Sequence, residues 1–387
     1  MPDPAPGRLL PGPAGPPAVR WVAYVDLDAY YVSCELRDRP DLNGRPVIVG
    51  RAPAPGATRG VVLSASYEAR AFGVHSAMPA VVAARRCPEA TWIPPDFPKY
   101  ERIARSVRAV LGRFAPHVVP FSIDEAALEL DAGSADEARR TAVAIQAALR
   151  AELALPASIG VASSRTVAKI ATDRAKPAGI LVVRPDEVAA FLGPLPVRVV
   201  PGVGPRTEEL LRRAGVSTIG ELADRNPREL ERQIGGFARE LVALAKGRPN
   251  EGELVASGPR SRSTDRTFER DAAAWEEVAP TLATLAEELA ASLAQERLRY
   301  GTVGVGFRWT DLARSQRVRG LGAAHEGAGP MVEAALRLGR ELWDAERAGA
   351  GRAVRTVSVR AEQLAPAHQR QRSLDDRWGE PARPADR

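Results

Sequence analysis

The spacing of apolar and polar residues divides the first part of the chain into alternating strands and helices. An apolar run of strand type from Val22 is followed by a helical pattern from Ala29 to Leu36. Further strand patterns cover Arg45 to Gly50 and Ala157 to Ala162, and helical patterns cover Tyr100 to Phe114 and Ala135 to Leu153. Strands and helices mixed in this order predict an α/β (α+β) fold, in which a sheet is covered by a helical layer.

The last third of the chain has a different order of elements. The patterns predict strand 261–268, helix 273–296, strands 302–310 and 314–321, helix 330–347 and strand 354–360. This β-α-β-β-α-β order is the ferredoxin-like arrangement. In the strand from Thr302, large apolar residues alternate with Gly304, Gly306 and Arg308, so one face packs on helices and the other is small and basic.

Acidic residues stand at the ends of two of the apolar stretches. The first stretch ends in Asp26, Leu27 and Asp28, and a second, about a hundred residues later, ends in Asp124 and Glu125. If the two strands are neighbours, these acids converge into an all-oxygen site that suits a pair of magnesium ions, and such a site fits phosphoryl transfer. The alternative is that such carboxylates cap helices or face solvent, and Asp28 is interpreted as a helix N-cap.

A second group of polar residues falls on predicted helices. Tyr67 and Arg70 are three residues apart, so they share one face of a helix that starts at Ser64. An N-terminal capping serine on an ordinary amphipathic helix explains the same spacing. Lys169 lies on a helix that Pro177 and Gly179 close, and by itself it fits a solvated lysine equally well.

Basic residues and glycines indicate contact with a phosphate backbone. P-G-V-G-P-R-T, from Pro201, resembles a helix-hairpin-helix turn in which Gly202 and Gly204 let backbone N–H groups approach DNA, with Arg206 beside them. The C-terminal strands carry Arg260, Arg262, Arg266, Arg308, Arg314, Arg317 and Arg319, which suits a sheet face laid along DNA. A solvated sheet face is the alternative.

Composition changes this picture little. The chain has 387 residues, 45% of them apolar, and a net charge of +6, which is long enough for several domains and only mildly basic. Cys34 and Cys87 are too few for a disulfide scaffold, so we interpret them as buried thiols in a reducing, cytoplasmic compartment. No run is long enough to span a membrane, and residues 1–19 are expected to be a disordered tail.

Several motifs together resemble those of the Y-family DNA polymerases, closest to the DNA polymerase IV (DinB) group. They are D-L-D-A-Y-Y, R-G-V-V-L-S-A-S-Y-E-A-R-A-F-G-V, S-I-D-E, V-A-K-I-A-T-D and P-G-V-G, within residues 21–365. The resemblance implies a right-hand polymerase with a palm (20–29 and 96–176), short fingers (30–95), a helix-hairpin-helix thumb (177–246), a linker (247–258), a ferredoxin-like little finger (259–365) and a flexible tail (366–387).

The resemblance also implies the role of each site residue. Asp26, the Leu27 carbonyl and Asp124 would hold two Mg²⁺ ions, with Glu125 completing the site. Ser64, Tyr67, Arg70 and Lys169 would clamp the triphosphate, and Tyr31 would be the steric gate under the incoming sugar. The function implied is template-directed translesion synthesis at low fidelity, without proofreading, on primer–template DNA and deoxynucleoside triphosphates, by a monomer associated with a bacterial-type nucleoid.

The chain departs from the family pattern at three places. Ala127 stands where an aromatic residue usually follows S-x-D-E-A, the gate is Tyr31 where this group often has Phe, and the best sliding-clamp peptide, Gln371 to Asp375, is degenerate. Clamp binding is therefore expected to be weak or absent. Two other functions fit part of this pattern: a non-catalytic DNA-binding adaptor of the same fold, whose relatives lack the carboxylates, and a nucleotide cyclase, which leaves the helix-hairpin-helix unexplained.

Overall fold

The structure, a computed structural model, describes residues 20–248 except 55, 57 and 58, and residues 259–367 except 351. It contains two compact units, Met1–Ala256 and Ser257–Arg387. The predicted N-terminal tail, most of the predicted linker, the clamp-like peptide and nearly all of the predicted C-terminal tail lie outside the described residues. In the described parts of the chain, no helix combines the length and apolar character needed to cross a membrane.

The first unit is built around a five-stranded sheet in the order β5-β6-β1-β7-β8. Its strands are β1 (Trp21–Leu27), β5 (Val118–Pro120), β6 (Glu125–Leu130), β7 (Ala157–Ala162) and β8 (Ile180–Val182). All residues of β1 are buried, because alternate side chains face two separate apolar clusters. One cluster includes residues of helices α4 (Phe97–Leu111) and α5 (Ala135–Leu153), and the other includes residues of α6 (Arg165–Ala175).

The two acidic stretches are neighbours, as predicted, although the second has the opposite sense. Strand β6 pairs antiparallel with β1, so the acids stand at the beginning of β6 and not at the end of a strand. Antiparallel pairing still brings them together, because the start of one strand meets the end of its partner. Helix α4 begins at Phe97, three residues before the predicted start, because the Asp96 side chain accepts a hydrogen bond from the Lys99 N–H.

A small sheet in the order β3-β2-β4 follows β1 in the chain, with strands β2 (Val47–Val49), β3 (Ser64–Ala65) and β4 (Thr91–Ile93). The helices of this region are α1 (Tyr30–Leu36), α2 (Tyr67–Ala71) and α3 (Ala80–Arg86). Ser64 lies buried in β3, so it does not start the helix as predicted. The N-cap of α2 is Ser66, whose hydroxyl accepts a hydrogen bond from the Ala69 N–H.

Short helices complete the first unit: α7 (Val188–Leu192), α8 (Pro205–Arg213), α9 (Ile219–Ala223), α10 (Pro227–Ile234) and α11 (Ala238–Ala245). Gly202 precedes α8 with a φ of +91°, a conformation that side chains with a Cβ rarely adopt. A Cβ at this position would also lie 3.0 Å from the Phe237 ring. The predicted P-G-V-G turn is therefore a tight turn that requires glycine.

The second unit has the predicted ferredoxin-like order. Its elements are β9 (Ser261–Ala272), α12 (Trp275–Gln295), β10 (Leu298–Trp309), β11 (Arg314–His325), α13 (Gly329–Ala350), β12 (Val354–Glu362) and β13 (Ala365–Pro366). The main sheet runs β11-β10-β12-β9, with every pair antiparallel. The apolar residues of β10 are buried against the helices, which confirms the predicted alternation.

Candidate active site

The end of β1 and the start of β6 place two carboxylates side by side. Asp26 lies directly opposite Glu125 in the strand register, and the Leu27 N–H donates a hydrogen bond to the Asp124 carbonyl at 3.0 Å. Side chains opposite each other on neighbouring strands lie on the same face of the sheet. Asp26 is only 6% exposed, so its charge must be compensated within the protein.

Two lysines supply that compensation. Lys169 Nζ, from α6, donates to Glu125 Oε1 at 2.5 Å and to Asp26 Oδ2 at 3.2 Å. Lys176 Nζ donates to the same Asp26 oxygen at 2.6 Å. Asp173 lies 3.1 Å from the first ammonium group and 3.4 Å from the second. Lys169 was predicted from the sequence, whereas Lys176 and Asp173 were not, although Asp173 lies one helical turn beyond Lys169 on α6 and Lys176 directly follows that helix.

The electrostatics follow from burial and from these pairs. Burial raises the pKa of Asp26 to about 6, even though both lysines act to lower it. Burial also acts to raise the pKa of Glu125, but the hydrogen bond and charge of Lys169 outweigh it and lower that pKa. For Lys169, burial acts to lower the pKa, and the neighbouring carboxylates more than offset it and raise that pKa. Glu125 is therefore favoured as a carboxylate and Lys169 as an ammonium group, and each stabilises the charge of the other.

The third predicted acid, Asp124, lies beside this pair but bonds elsewhere. Its Oδ1 accepts a hydrogen bond from the Ser122 hydroxyl at 2.5 Å. Among the described residues, no three His, Cys, Asp or Glu side chains converge into a ready-made metal cage. The donors at this sheet end are nevertheless all oxygen, which is the donor set that a hard divalent cation prefers. These residues fit a magnesium site in the chemistry of their donor atoms.

Asp28 is not the helix cap that the sequence suggested. Helix α1 begins at Tyr30 after Ala29, with no side-chain cap, and Asp28 is 2% exposed. Its carboxylate accepts hydrogen bonds from the Ser158 hydroxyl, the Ala178 N–H and the Tyr67 hydroxyl. The carboxylate turns into the protein because these three buried or half-buried donors bind it there.

The predicted triphosphate residues occupy neighbouring elements. Tyr67 and Arg70 share one face of α2, as predicted, with the guanidinium 4.7 Å from the centre of the Tyr67 ring. The Arg70 Nε donates to the Ala65 carbonyl at 3.0 Å, so the side chain is fixed at its base. Ser64 is 4% exposed in β3. Tyr31, on α1, lies with its ring 4.8 Å from that of Tyr100 and 6.3 Å from that of Phe97.

Ala127 is fully buried and lies opposite Tyr24 in the strand register. The Tyr24 ring stacks on the Phe121 ring, with centres 5.7 Å apart, and the Lys169 ammonium lies 5.1 Å from its centre. A large aromatic on β1 thus stands beside the small residue on β6. Tyr24 and Ala127 belong to the same buried apolar cluster.

The predicted DNA-contact residues divide between two faces of the sheet in the second unit. Arg308 and Arg314 are cross-strand partners on the open face, where they line a concavity of about 600 Å³ that also includes Asp265. Arg317 and Arg319 pair with the buried Val305 and Val303, so they belong to the opposite face. The single basic face that the sequence suggested is therefore wrong, because a strand alternates its side chains.

Two further arginines of β9 also face away from the open side. Arg262 lies opposite the buried Ala361, and Arg266 lies opposite the buried Val357. Each is paired with a glutamate of the helix layer: Arg266 with Glu288 of α12 at 2.9 Å, and Arg262 with Glu296, the residue directly after α12, at 2.8 Å. These side chains are committed to the helix layer. In the first unit, Gly204 is the N-cap of α8 and Arg206 lies in its first turn, close to Gly202.

Comparison with known proteins identifies the family. The impB/mucB/samB family matches residues 25–173, its C-terminal domain matches 259–374, and the IMS family HHH motif matches 185–216. The DNA polymerase IV of Methanoculleus marisnigri is 41% identical over 92% of this chain and 98% of the relative. That of Dehalococcoides mccartyi (strain 195) is 37% identical over 88% of this chain and 86% of the relative.

Solved structures agree with this assignment. A Y-family DNA polymerase chimera of Dbh and Dpo4 matches with a TM-score of 0.82 at 25% identity, covering 89% of this chain and 99% of the other. DinB from Sulfolobus solfataricus matches with a TM-score of 0.57 at 25% identity, covering 88% and 98%. The chain belongs to the impB/mucB/samB family, in the DinB group of Y-family DNA polymerases, and is a DNA-directed DNA polymerase of the translesion class.

Family membership decides between the functions weighed from the sequence. It favours the polymerase over the non-catalytic adaptor, and it implies a requirement for a divalent metal ion. It also agrees with the right-hand fold of palm, fingers, thumb and little finger.

Proposed function

We propose that Asp26, Asp124 and Glu125 form the catalytic centre of this polymerase and, with the Leu27 carbonyl, hold two Mg²⁺ ions. The observation that carries the proposal is the pairing of Asp26 with Glu125 across two strands, where Lys169 binds both carboxylates. When bound, the ions would lower the pKa of the primer 3′-hydroxyl and neutralise the triphosphate and the leaving pyrophosphate.

The protein groups around this centre bind and orient the nucleotide. Lys169 and Arg70 provide positive charge for the triphosphate, and Tyr67 and Ser64 provide hydroxyl groups. Lys169 is held by Asp26 and Glu125 in this structure, so it must exchange them for phosphate oxygens when a nucleotide binds. Tyr31 limits the space under the sugar and so excludes a 2′-hydroxyl group.

For the DNA, we propose two phosphate-binding regions. The first is the tight turn at Gly202 and Gly204 together with Arg206, where backbone N–H groups approach the duplex. The second is the open face of the β9–β12 sheet, with Arg308 and Arg314 as its central bases. Arg317 and Arg319 lie on the other face, so their contribution would be limited to the long-range field of the unit.

The proposal also covers the bounds of the domains, the fidelity, the oligomeric state and the location of the protein. The palm, fingers, thumb and little finger carry the bounds predicted from the sequence, and the polymerase acts at low fidelity, without proofreading, as a monomer in the cytoplasm at the nucleoid. Because the clamp-like peptide is degenerate, recruitment would depend on other contacts. Primer extension by the purified protein on intact and lesion-containing templates tests the function. Extension of both templates by the parent protein, with no extension by Asp26→Asn, supports the proposed function. Extension by Asp26→Asn equal to that of the parent contradicts it.

A further inference from the structure

The side chain of Asp28 connects four parts of the first unit at a single carboxylate. Asp28 directly follows β1, Ser158 lies in β7, Ala178 precedes β8 and Tyr67 begins α2. The Ser158 hydroxyl lies 3.0 Å from both carboxylate oxygens, and the Ala178 N–H donates to Oδ2 at 2.8 Å. A carboxylate that is 2% exposed and bound by these donors has a fixed orientation.

The remaining donor is the phenol of Tyr67, which gives its proton to Asp28 Oδ1 at 3.1 Å. A phenol has one proton to donate, and a triphosphate offers only acceptor oxygens. Tyr67 therefore cannot donate to Asp28 and to a phosphate at the same time. Burial, and next the charge of Asp28, raise the pKa of Tyr67 to about 12, so the phenol keeps this proton at neutral pH.

We propose that Asp28 is a positioning residue that holds the Tyr67 hydroxyl in the nucleotide-free site, and that the triphosphate takes over this hydrogen bond when it binds. This inference rests on the proposed role of Tyr67 in the triphosphate clamp. Asp28 remains satisfied after the exchange, because Ser158 and the Ala178 N–H still donate to it. Because the triphosphate must displace the Tyr67–Asp28 hydrogen bond, nucleotide affinity is lower than it would be if the Tyr67 hydroxyl had no other acceptor.

The variant Asp28→Asn isolates this effect. The backbone N–H of Ala178 needs an acceptor, so the amide oxygen of the asparagine should face it and the NH₂ group should face Tyr67 and Ser158. The NH₂ group would then donate to the phenol oxygen, and the phenolic proton would point toward the nucleotide. The variant should therefore bind nucleotide more tightly, by about three-fold, the size expected for one neutral hydrogen bond.

Asp28→Asn also removes a negative charge, which by itself would favour binding of a triphosphate. The same substitution made in Tyr67→Phe, which has no phenol to release, measures this charge effect alone. The measurement is the dissociation constant of the matched deoxynucleoside triphosphate, with Mg²⁺ and a dideoxy-terminated primer–template. We expect Asp28→Asn to tighten nucleotide binding about three-fold more with Tyr67 than with Phe at this position, where only the charge effect remains, and Tyr67→Phe to weaken binding in the Asp28→Asn background, where no carboxylate competes for the phenol. If Asp28→Asn tightens nucleotide binding equally with Tyr67 and with Phe at this position, or does not tighten it when Tyr67 is present, the inference is overturned. The clamp role of Tyr67 still stands in that case. A dissociation constant that Tyr67→Phe leaves unchanged in the Asp28→Asn background overturns both the inference and the clamp role of Tyr67.

Ser158→Ala gives an independent test that keeps the carboxylate. Removing this donor leaves Asp28 a stronger acceptor for the phenol, so nucleotide binding should weaken by about two-fold with Tyr67 and stay unchanged with Phe. This sign is opposite to that of Asp28→Asn. A thermal melt of each variant reports its folding, and a tighter nucleotide complex in Ser158→Ala overturns the inference.

Discussion

Lys176 and Lys169 share one oxygen of Asp26, at 2.6 and 3.2 Å from Oδ2. Two ammonium groups on one buried carboxylate are stable here because Glu125 and Asp173 lie close to them. The positive charge that the acids require is thus supplied by the protein itself. A divalent cation that binds these acids must compete with the lysines for the same oxygens.

This competition predicts the effect of Lys176→Met. The variant should bind a divalent cation more tightly by about five-fold or more, since a unit charge at 4 Å is worth about 1 kcal/mol even in water. Mn²⁺ binding to the DNA-free protein, followed by electron paramagnetic resonance, measures it. Arg184→Met, which removes an exposed ion pair with Glu187 elsewhere, is the control. Equal Mn²⁺ affinity in parent and Lys176→Met would show that Lys176 does not occupy Asp26 in solution.

Sugar selection should depend on Tyr31. In Tyr31→Ala, loss of the ring opens the space that a ribose 2′-hydroxyl would occupy, so ribonucleotides should be incorporated far more readily while deoxynucleotide use falls less. Competitive primer extension with a ribonucleotide and its deoxynucleotide counterpart measures the ratio. If the variant excludes ribonucleotides as well as the parent, Tyr31 is only a packing partner of Tyr100 and Phe97.

Duplex binding should depend on which face of the sheet an arginine occupies. Arg314→Ala, on the open face, should flatten the slope of log affinity against log salt by up to about one unit. Arg262→Ala is the matched control, because that arginine is paired with Glu296 on the other face. Equal slopes for Arg314→Ala and the parent would place the DNA on a different surface of this unit.

The support of the acidic strand should depend on Tyr24. Tyr24→Ala removes a buried ring beside Ala127 and should cost about 3–5 kcal/mol of unfolding free energy, as large-to-small core substitutions do. Tyr24→Phe keeps the ring and should cost less than about 1.5 kcal/mol. Urea unfolding of the three proteins measures this difference. A loss below about 1 kcal/mol in Tyr24→Ala, roughly the value of one buried methylene group, would mean that the ring does not fill the space beside Ala127.

The sequence predicted the elements well where apolar periodicity is strong, and less well where a side chain chooses between partners. Helix α5 and strand β7 have the predicted bounds, because α5 has one clear buried face and β7 is a short apolar run that is buried throughout. Asp28 was misread because an acid before a short helix resembles a cap, whereas its partners Ser158 and Ala178 are far away in the chain.

The candidate site shows the same division. The predicted pairing of the two acidic strands is confirmed, and the roles of the acids remain a prediction from the motifs. Lys176 was not found, since its contact with Asp26 joins residues 150 positions apart in the chain. The faces of Arg317 and Arg319 could have been predicted, because Arg314 and Arg317 are three residues apart and side chains at this spacing on a strand point to opposite faces.

The most direct test of the account is nucleotide incorporation by Asp124→Ala, with DNA binding measured on the same preparation. The account predicts a fall of at least about 10³-fold in the rate of incorporation, roughly 4 kcal/mol of barrier, while primer–template affinity stays within two-fold of the parent (about 0.4 kcal/mol). Asp186→Ala, an exposed acid in the first unit, should match the parent in both measurements. Near-normal incorporation by the Asp124→Ala protein would contradict the assignment of the catalytic centre.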